Sequence, residues 1–434
     1  MRVINPATEE EIVTVDPGDP DTAVFQARQA FESWRKVAPG DRARLLRRFA
    51  SVVDAHIDQL AQIEITNTGK PVGNARWEAT NVRDLLDYYS GAPERLCGRQ
   101  IPVVGGWDVT FHEPLGVVAV IVPWNFPMPI AAWGFAPALA AGNTVVIKPA
   151  ELTPLTALRI GELALEAGLP EGVLNVVTGP GSRVGRRLVT HPDVRKVCFT
   201  GSVEVGREIM ALCAGDLTRV TLELGGKSAT VLFADADLEK AAAALPGAVF
   251  DNAGQDCCAR SRLLVERGVH DEFLSLLKPY VTGFTEMGPL ISHQHRAHVA
   301  SFVDDPLFQG SVPGDKGYWY PPTVLKAERG DRHWNEEIFG PVLSVMPFDT
   351  EEQAVEFAND TPYGLSGSVW TRDVGRALRV SREIQTGVLS VNSHSSVRYW
   401  TPFGGVKQSG LGRELGPDAP LSFTDTKNIF ISEE

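Results

Sequence analysis

The chain has 434 residues, of which 43% are hydrophobic and 22% charged, and its formal net charge at pH 7 is −13. This length predicts more than one compact lobe, and the composition is typical of globular rather than disordered proteins. Because phosphate binding needs clustered positive charge, the acidic excess argues against a nucleic-acid partner. The first residues lack a secretory signal and no apolar run reaches membrane-spanning length, so we expect a cytoplasmic protein without a membrane partner.

The five cysteines are too few and too scattered for a disulfide scaffold, and none has the spacing of zinc ligands. We therefore expect reduced thiols, one of which can be a nucleophile, and no metal site.

The N-terminal region, residues 21–89, has apolar residues at helical spacing. Residues 100–109 change to short β-type stretches broken by Gly105-Gly106, which predicts a hairpin. An apolar, β-branched run at 116–122 then predicts a buried parallel strand that ends at Pro123.

Strand-like and helical runs alternate from residue 144 onward, which is the pattern of a doubly wound, mostly parallel sheet. The predicted strands are 144–148, 173–178 and 196–200, and the predicted helices are 154–168, 184–190 and 203–213. A strand at 229–233, a helix at 238–252 and a strand at 262–265 predict a second α/β lobe. The final extended stretch, 423–431, lies outside both lobes and can pair with another subunit.

Cys257 lies in the short polar segment Gly254-Gln255-Asp256-Cys257-Cys258, directly after a predicted helix. A cysteine held at a helix end beside small residues is accessible enough to react. A lone cysteine, however, is more often a buried structural thiol, so the segment indicates a nucleophile only in combination with other groups.

Two polar residues supply such a combination. Glu223 lies in an apolar strand before Gly225-Gly226, where desolvation raises the pKa of a carboxyl and suits it to act as a general base; a solvated or ion-paired glutamate is the alternative. Asn125 follows the strand at 116–122, and its amide can donate to a developing oxyanion or serve only as a turn-former between two prolines.

Six segments resemble, in their order along the chain, the motifs of the aldehyde dehydrogenase superfamily, and the resemblance runs from about Asn5 to the C-terminus. They are Pro123-Trp124-Asn125-Phe126-Pro127, Lys148-Pro149-Ala150-Glu151, Phe199-Thr200-Gly201-Ser202 with Gly206, Glu223-Leu224-Gly225-Gly226-Lys227, Gly254-Gln255-Asp256-Cys257 and Glu337-Ile338-Phe339-Gly340-Pro341-Val342. By contrast, Gly179-Pro180-Gly181 with Gly185 falls short of the dinucleotide-binding fingerprint and carries little weight.

The resemblance implies a reaction in which Cys257 attacks an aldehyde to form a thiohemiacetal, with the oxyanion held by the Asn125 side chain and the backbone N–H of Cys257. Hydride then passes to NAD. Glu223 activates the water that hydrolyses the resulting thioester, and it can first deprotonate the thiol. Cys258 is left as a packing residue or a modest redox liability.

The implied fold class is α/β, with a Rossmann-like NAD-binding domain (1–95 and 115–225), an α/β catalytic domain (226–415) and a small β oligomerisation element (96–114 and 416–434). The last element implies a homodimer or homotetramer.

The resemblance also implies a set of cofactor contacts. Glu151 matches a position on the adenosine ribose, where a carboxylate accepts from both hydroxyls and repels a 2′-phosphate, which favours NAD over NADP. Gly201 and Gly206 open a helix whose N-terminus faces the pyrophosphate. The full set is Trp124, Lys148, Glu151, Gly201, Ser202, Gly206, Leu224, Glu337 and Phe339.

For the substrate, the resemblance places Phe126, Trp133, Asp251 and Trp400 at the aldehyde tunnel. Aromatic walls with a carboxylate at the mouth suit a cationic ω-aminoaldehyde. A broad aliphatic or aromatic aldehyde enzyme is the alternative. Arg398 near the tunnel loop can bind a carboxylate, so succinate semialdehyde stays a further alternative substrate.

The reaction itself has two competing interpretations. A CoA-acylating dehydrogenase would replace hydrolysis by thiolysis, and a family member without catalytic activity would keep only the fold. Glu223 argues against a CoA-acylating enzyme, because it can activate water for hydrolysis. The presence of Cys257, Glu223 and Asn125 together argues against a non-catalytic family member. The connecting stretches near Phe284 and Asp305 are shorter than the family pattern, which indicates either short loops or omitted residues.

Overall fold

The computed structural model describes residues 1–395 and 397–434. Over these residues the strands form four β-sheets, two of them large and mostly parallel with helices packed around them. This architecture confirms the predicted α/β fold class with two lobes.

A small β-ribbon and four helices form the N-terminal region, as the helical spacing of residues 21–89 predicts. These elements are β1 (Arg2–Ile4), β2 (Glu11–Thr14), α1 (Pro20–Trp34), α2 (Pro39–Ala55), α3 (Ile57–Thr68) and α4 (Val72–Ser90). The Asp19 side chain accepts hydrogen bonds from the first backbone N–H groups of α1, which satisfies donors that the helix itself leaves open. Helix α3 ends at Gly69, whose left-handed φ of 74° favours glycine.

The first large sheet follows a hairpin made of β3 (Gln100–Val103) and β4 (Gly106–Pro114), whose second strand is longer than predicted. The elements of this lobe are β5 (Val117–Ile121), α5 (Pro127–Ala140), β6 (Thr144–Lys148), α6 (Leu155–Glu166), β7 (Leu174–Val176), α7 (Arg186–Val189), β8 (Val194–Thr200), α8 (Val203–Cys213) and β9 (Arg219–Glu223). The strand order is β9-β8-β5-β6-β7. Strands β6 and β7 follow on one side of β5, and the chain then returns to add β8 and β9 on the other side, so the direction of strand addition changes between β5 and β8. The carboxyl ends of strands at such a switch point leave a crevice for a ligand.

The second large sheet forms the other lobe and is parallel except at β12. Its elements are β10 (Ala229–Leu232), α9 (Leu238–Phe250), β11 (Arg262–Glu266), α10 (His270–Thr282), α11 (His293–Ala300), β12 (Phe308–Gln309), β13 (Thr323–Lys326), α12 (Arg332–Asn335), β14 (Val342–Phe348), α13 (Glu351–Asn359), β15 (Ser366–Trp370), α14 (Val374–Glu383) and β16 (Val388–Val391). The strand order is β12-β13-β14-β11-β10-β15-β16.

Two predicted helices differ from the structure. The helix predicted at 184–190 is preceded by a π-helical turn, Gly181–Gly185, and only Arg186–Val189 is α-helical. The helix predicted at 238–252 ends at Phe250, because Asn252 and Ala253 adopt left-handed φ angles of 50° and 56° that an α-helix does not allow.

The C-terminal segment adds a strand to each of two sheets. Strand β17 (Gly410–Leu411) pairs antiparallel with β9 of the first large sheet, although residues up to 415 are predicted to belong to the catalytic domain. The domain boundaries stay predictions. Strand β18 (Thr424–Ser432) pairs along its whole length with β4 of its own chain and forms one edge of a three-stranded sheet.

Helix α5 is buried at every position, which explains its almost entirely apolar sequence. It has 14 residues, whereas a membrane span needs about 20. Within residues 1–395 and 397–434, no helix is both long and apolar enough to cross a membrane.

Candidate active site

The crevice at the switch point opens into two adjoining cavities that share Pro123 and Trp124 in their walls. The inner cavity, of about 470 Å³, is lined by Asn125, Glu223 and Cys257 together. The first and last of these residues are 132 positions apart in the chain. The fold therefore brings all three predicted catalytic residues to one cavity.

Cys257 is half-buried in the loop that leads from the left-handed turn at Asn252 to β11. Its sulfur, the Cys258 sulfur and a carboxylate oxygen of Asp256 lie within 4.8 Å of one another. Asp256 also accepts a hydrogen bond from the backbone N–H of Cys258 at 2.8 Å, which fixes the loop. The pKa of the Cys257 thiol is raised well above its usual value by the hydrogen bond with Cys258, by burial and by the nearby carboxylates. Because the thiolate is the nucleophile, the thiol needs a base.

Asn125 is buried directly after β5 and before α5. Its side-chain Nδ2 donates to the backbone carbonyl of Gln255 at 3.0 Å. An amide NH₂ has two donors, so this bond leaves one N–H for another acceptor in the inner cavity. The side chain is thus tied to the loop that carries Cys257.

Glu223 ends β9 with a side chain that is 2% exposed, and neither carboxylate oxygen makes a hydrogen bond within the described residues. Burial raises the pKa of Glu223 well above its usual value, and the nearby Glu414 carboxylate raises it further. The sequence predicted this direction for Glu223 but gave no sign of Glu414, which is itself buried with a pKa of about 7. A Cβ at Gly404 would lie 2.7 Å from Glu223 Oε1, so the glycine makes room for the carboxylate.

Six of the predicted cofactor residues lie at the inner cavity: Trp124, Gly201, Ser202, Leu224, Glu337 and Phe339. The Glu337 carboxylate accepts from the backbone N–H of Gly226 at 2.8 Å, and burial raises its pKa to about 7. Phe339 has a left-handed φ of 56° and packs edge-on against Trp124, with ring centroids 5.3 Å apart. A bulky residue in this conformation is strained and is held there by its surroundings.

The outer cavity, of about 600 Å³, is lined by four of the predicted cofactor residues: Trp124, Lys148, Glu151 and Gly201. Burial lowers the pKa of Lys148, whose Nζ donates to the carbonyl of Pro149 at 3.0 Å. Glu151 accepts from the backbone N–H of Gly181 at 2.9 Å.

The N-terminus of α8 lies where the cavities join. Ser202 caps this helix by accepting from the N–H of Val205 at 3.3 Å, and Ser202 lines the inner cavity. Gly206 does not line either cavity; a Cβ there would lie 2.6 Å from Leu224, so it permits close packing of α8 against the chain after β9. Helix N-termini favour anions through their unpaired N–H groups and dipole.

The predicted tunnel residues do not line either cavity. Trp133 is 8% exposed and packs edge-on against Phe403, while Trp400 is 51% exposed. Asp251 accepts a hydrogen bond from Asn74 on α4. The Phe126 ring lies edge-on to Trp77, also on α4, at 6.5 Å.

Sequence patterns gave no indication that α4 contacts these residues. Asn74, Trp77 and Tyr88 are spaced by three and eleven residues, which places them on one helix face. Tyr88 contacts Tyr399, which in turn contacts Trp400. A helical pattern alone gives no signal for which face meets a loop much later in the chain.

Further lining residues were also missed. His295 and His298 of α11 line the inner cavity, and the His295 Nε2 lies 2.7 Å from the carbonyl oxygen of Phe339. Gly181 and Gly185 line the outer cavity, so the incomplete glycine fingerprint was a usable signal for part of this wall.

Comparison with known proteins supplies the family. The family model described as "Aldehyde dehydrogenase family" matches residues 1–429. The chain is 39% identical to betaine aldehyde dehydrogenase of Bacillus subtilis, covering 99% of this chain and 93% of that protein. It is 40% identical to phenylacetaldehyde dehydrogenase of Pseudomonas fluorescens, covering 100% and 91%. The crystal structure of betaine aldehyde dehydrogenase from Staphylococcus aureus in complex with NAD⁺ superposes with a TM-score of 0.97 at 36% identity, covering 100% of this chain and 92% of that one.

Proposed function

This chain belongs to the aldehyde dehydrogenase family and is an NAD-dependent oxidoreductase that acts on aldehydes, and we propose that Cys257, Asn125 and Glu223 carry out its reaction. The observation that supports these roles is their position on the wall of one cavity, with a thiol, an amide donor and an unpaired buried carboxylate facing the same space.

The residues around the two cavities fit a dinucleotide. Glu151 at the outer cavity and Glu337 at the inner one offer carboxylate acceptors to ribose hydroxyls, and the N-terminus of α8 at Ser202 suits a pyrophosphate. Trp124 and Phe339 supply aromatic walls at the inner cavity. NAD bound there supplies the acceptor for the hydride that leaves the aldehyde carbon.

The first steps take place at Cys257. The thiol proton passes to water in the cavity, the resulting thiolate sulfur forms a bond to the aldehyde carbon, and the carbonyl electron pair moves to oxygen. The free N–H of the Asn125 amide and the backbone N–H of Cys257 stabilise that oxyanion. Loss of hydride from the carbon then leaves a thioester on Cys257.

Hydrolysis completes the reaction. The Glu223 carboxylate accepts a proton from water while the water oxygen attacks the thioester carbon, and the thiolate of Cys257 leaves as the acid forms. A raised pKa makes Glu223 a stronger base than an ordinary glutamate. A water-activating base beside the thioester favours release as the free acid rather than as acyl-CoA.

For the substrate, we propose an ω-aminoaldehyde or a similar cationic aldehyde. Aromatic side chains at Phe126, Trp77 and Trp400 can hold an ammonium group, and the exposed Asp251 carboxylate adds charge complementarity. The hydrogen bond from Asn74 to Asp251 favours the second candidate, a broad aliphatic or aromatic aldehyde enzyme, because the carboxylate is already engaged.

We also propose that the protein is cytoplasmic and forms a homodimer or homotetramer. A reducing compartment suits a chain whose described cysteines, including the proposed nucleophile, are all free. The three-stranded sheet of β3, β4 and β18 exposes apolar side chains that include Trp107, Phe111 and Phe430. Such a surface favours burial against another subunit.

The experiment that tests the reaction replaces the nucleophile. Cys257→Ser should abolish turnover while NAD binding, measured by calorimetry, stays within about twofold of the parent. Cys97→Ser, at an exposed cysteine, is the matched control and should turn over normally. Chromatography of the product with and without CoA should show only the acid. Ordinary turnover by Cys257→Ser would refute the mechanism, and acyl-CoA as the main product would refute hydrolysis.

The substrate is tested with a panel of kcat/KM values for 4-aminobutyraldehyde, betaine aldehyde, butyraldehyde, benzaldehyde and succinate semialdehyde. Asp251→Asn should lower the values for the two cationic aldehydes alone, and Asp305→Asn, at another exposed aspartate, should change none. Equal values for neutral and cationic aldehydes in the parent enzyme would favour the broad-specificity alternative.

A further inference from the structure

A buried charged cluster, made of Lys70, Glu64 and Glu78, lies directly behind Asn125. Helices α3 and α4 each contribute one carboxylate, and the loop between them contributes the ammonium group. The three side chains are no more than 2% exposed. Taking three ionisable groups out of water costs several kcal/mol for each charge. The cluster is therefore stable only because its members interact with one another and with other buried polar groups.

Each donor of the Lys70 ammonium has an acceptor. Nζ donates to Glu64 Oε1 at 3.3 Å, to Glu78 Oε1, and to the backbone carbonyl oxygen of Asn125 at 2.5 Å. Burial alone would lower the pKa of Lys70, but the two carboxylates raise it overall, so the side chain is a cation. A cation that donates to a neutral carbonyl makes a stronger and shorter bond than a neutral donor does.

The Asn125 carbonyl is also held from its other side. Asn252 Nδ2 donates to it at 3.0 Å and to the carbonyl of Gln255 at 3.1 Å. That second carbonyl is the one that accepts from the Asn125 side chain. The backbone carbonyl of Asn125 is therefore hydrogen-bonded to the charged cluster and to Asn252, and the Asn125 side chain is hydrogen-bonded to the loop that carries Cys257.

We infer that Lys70 is a positioning residue for the Asn125 amide, acting through the backbone carbonyl of Asn125, with Glu64 and Glu78 holding the ammonium group in place by hydrogen bonds. The inference rests on the proposed role of Asn125 as oxyanion donor. The ammonium also lies 4.7 Å from the centre of the Phe126 ring, which restrains the residue that follows. Displacement of a catalytic donor by about 1 Å can cost about 100-fold in rate.

The competing explanation is that the cluster only joins α3 to α4. A double-mutant cycle separates the two, because a residue that acts through Asn125 loses its effect once Asn125 has no amide. Lys70→Met should lower kcat/KM by about 10- to 100-fold, and adding Lys70→Met to Asn125→Ala should change the rate by less than about threefold. Lys70→Arg, which keeps the charge, should recover part of the loss.

Two further measurements report on the site without turnover. Alkylation of Cys257 by iodoacetamide and the Kd for NAD should stay within about twofold of the parent in Lys70→Met, since neither needs the Asn125 amide. Lys36→Met, at an exposed lysine, is the matched control. Should Lys70→Met fail to fold, the neutral variant Glu64→Gln/Lys70→Met/Glu78→Gln takes its place in the same cycle, with the same expected results.

The outcomes distinguish this inference from the proposed function. If Asn125→Ala is impaired but Lys70→Met and the neutral triple variant turn over normally, the inference is overturned alone. If the losses multiply in the double variant, Lys70 acts through the general fold and the inference is again overturned. If Asn125→Ala turns over at the parent rate, the oxyanion role of Asn125 fails and the inference fails with it.

Discussion

Replacement of Glu223 by glutamine isolates its proposed chemistry from its structural role. The two side chains have nearly the same size, and the Glu223 oxygens make no hydrogen bond within the described residues that the change could break. The folded structure should therefore persist. The change removes only the carboxylate that can take a proton from water.

The expected magnitude follows from general base catalysis, which contributes about 10²- to 10⁴-fold. We expect a fall of about 10³-fold in the rate of thioester hydrolysis, which corresponds to about 4 kcal/mol at about 1.4 kcal/mol per tenfold. Because the side chain is only 2% exposed, bases in bulk solvent have poor access to the reacting water.

The same variant should change the pH dependence of stability. Burial raises the pKa of Glu223 in the folded protein above its value in the unfolded chain, so the folded state holds the proton more tightly. The contribution of this group to stability is therefore present at low pH and is lost as the pH rises toward the raised pKa. Relative to the parent, Glu223→Gln should become more stable as the pH rises above the ordinary glutamate pKa of 4.5, as measured in urea titrations.

Rapid mixing with NAD and aldehyde measures the catalytic effect. Glu223→Gln should release about one NADH per site quickly and then turn over slowly, and intact-protein mass spectrometry should show an acyl group on Cys257. Glu171→Gln, at an exposed glutamate, should behave as the parent. A slow variant whose Cys257 stays unmodified would show that Glu223 acts before the thioester forms, and a variant with parent turnover would show that the base is elsewhere.

Four further changes test the electrostatics and packing. Glu414→Gln removes a charge that raises the pKa of Glu223 and should shift the acidic limb of the pH profile of kcat, where the rate rises as Glu223 loses its proton, to lower pH. Glu337 loses its charge below a pKa of about 7, so the Kd for NAD should rise between pH 8 and pH 6 in calorimetry and should do so less in Glu337→Gln. Gly206→Ala forces a Cβ to within 2.6 Å of a leucine side chain and should cost about 1–3 kcal/mol in urea unfolding and weaken NAD binding. Arg262→Met leaves three buried backbone carbonyls without their donor and should cost about 3 kcal/mol or more, measured the same way.

Local patterns predicted most of the fold because strand and helix periods are properties of adjacent residues. The strand at 144–148 and the helix at 203–213 coincide with β6 and α8. The helix predicted at 238–252 was two residues too long, since its apolar spacing gives no sign of the left-handed backbone at Asn252.

Cys257 and Glu223 could be proposed from the sequence because each lies in a motif whose residues are neighbours in the chain, and the structure places both at one cavity. Lys70 and Glu414 were missed because their importance comes from partners that lie far away in the chain: Lys70 meets Asn125 across 55 positions. The substrate tunnel stays a prediction for a related reason, since Trp133 and Asp251 have their orientation fixed by contacts with other elements rather than by their own segments.

The pairing of β17 with β9 has a consequence for how the protein is made. The backbone carbonyl of Ser409 accepts from the N–H of Leu224, and the Ser409 hydroxyl donates to the carbonyl of Gly225, so the residues after Glu223 reach their final place only against the C-terminal segment. A ribosome adds Ser409 long after Gly225, because the two residues are 184 positions apart. The proposed nucleophile and its proposed base are therefore ordered together only after residue 409 has been synthesised, and products of premature termination before that residue carry Cys257 without the strand that pairs with β9.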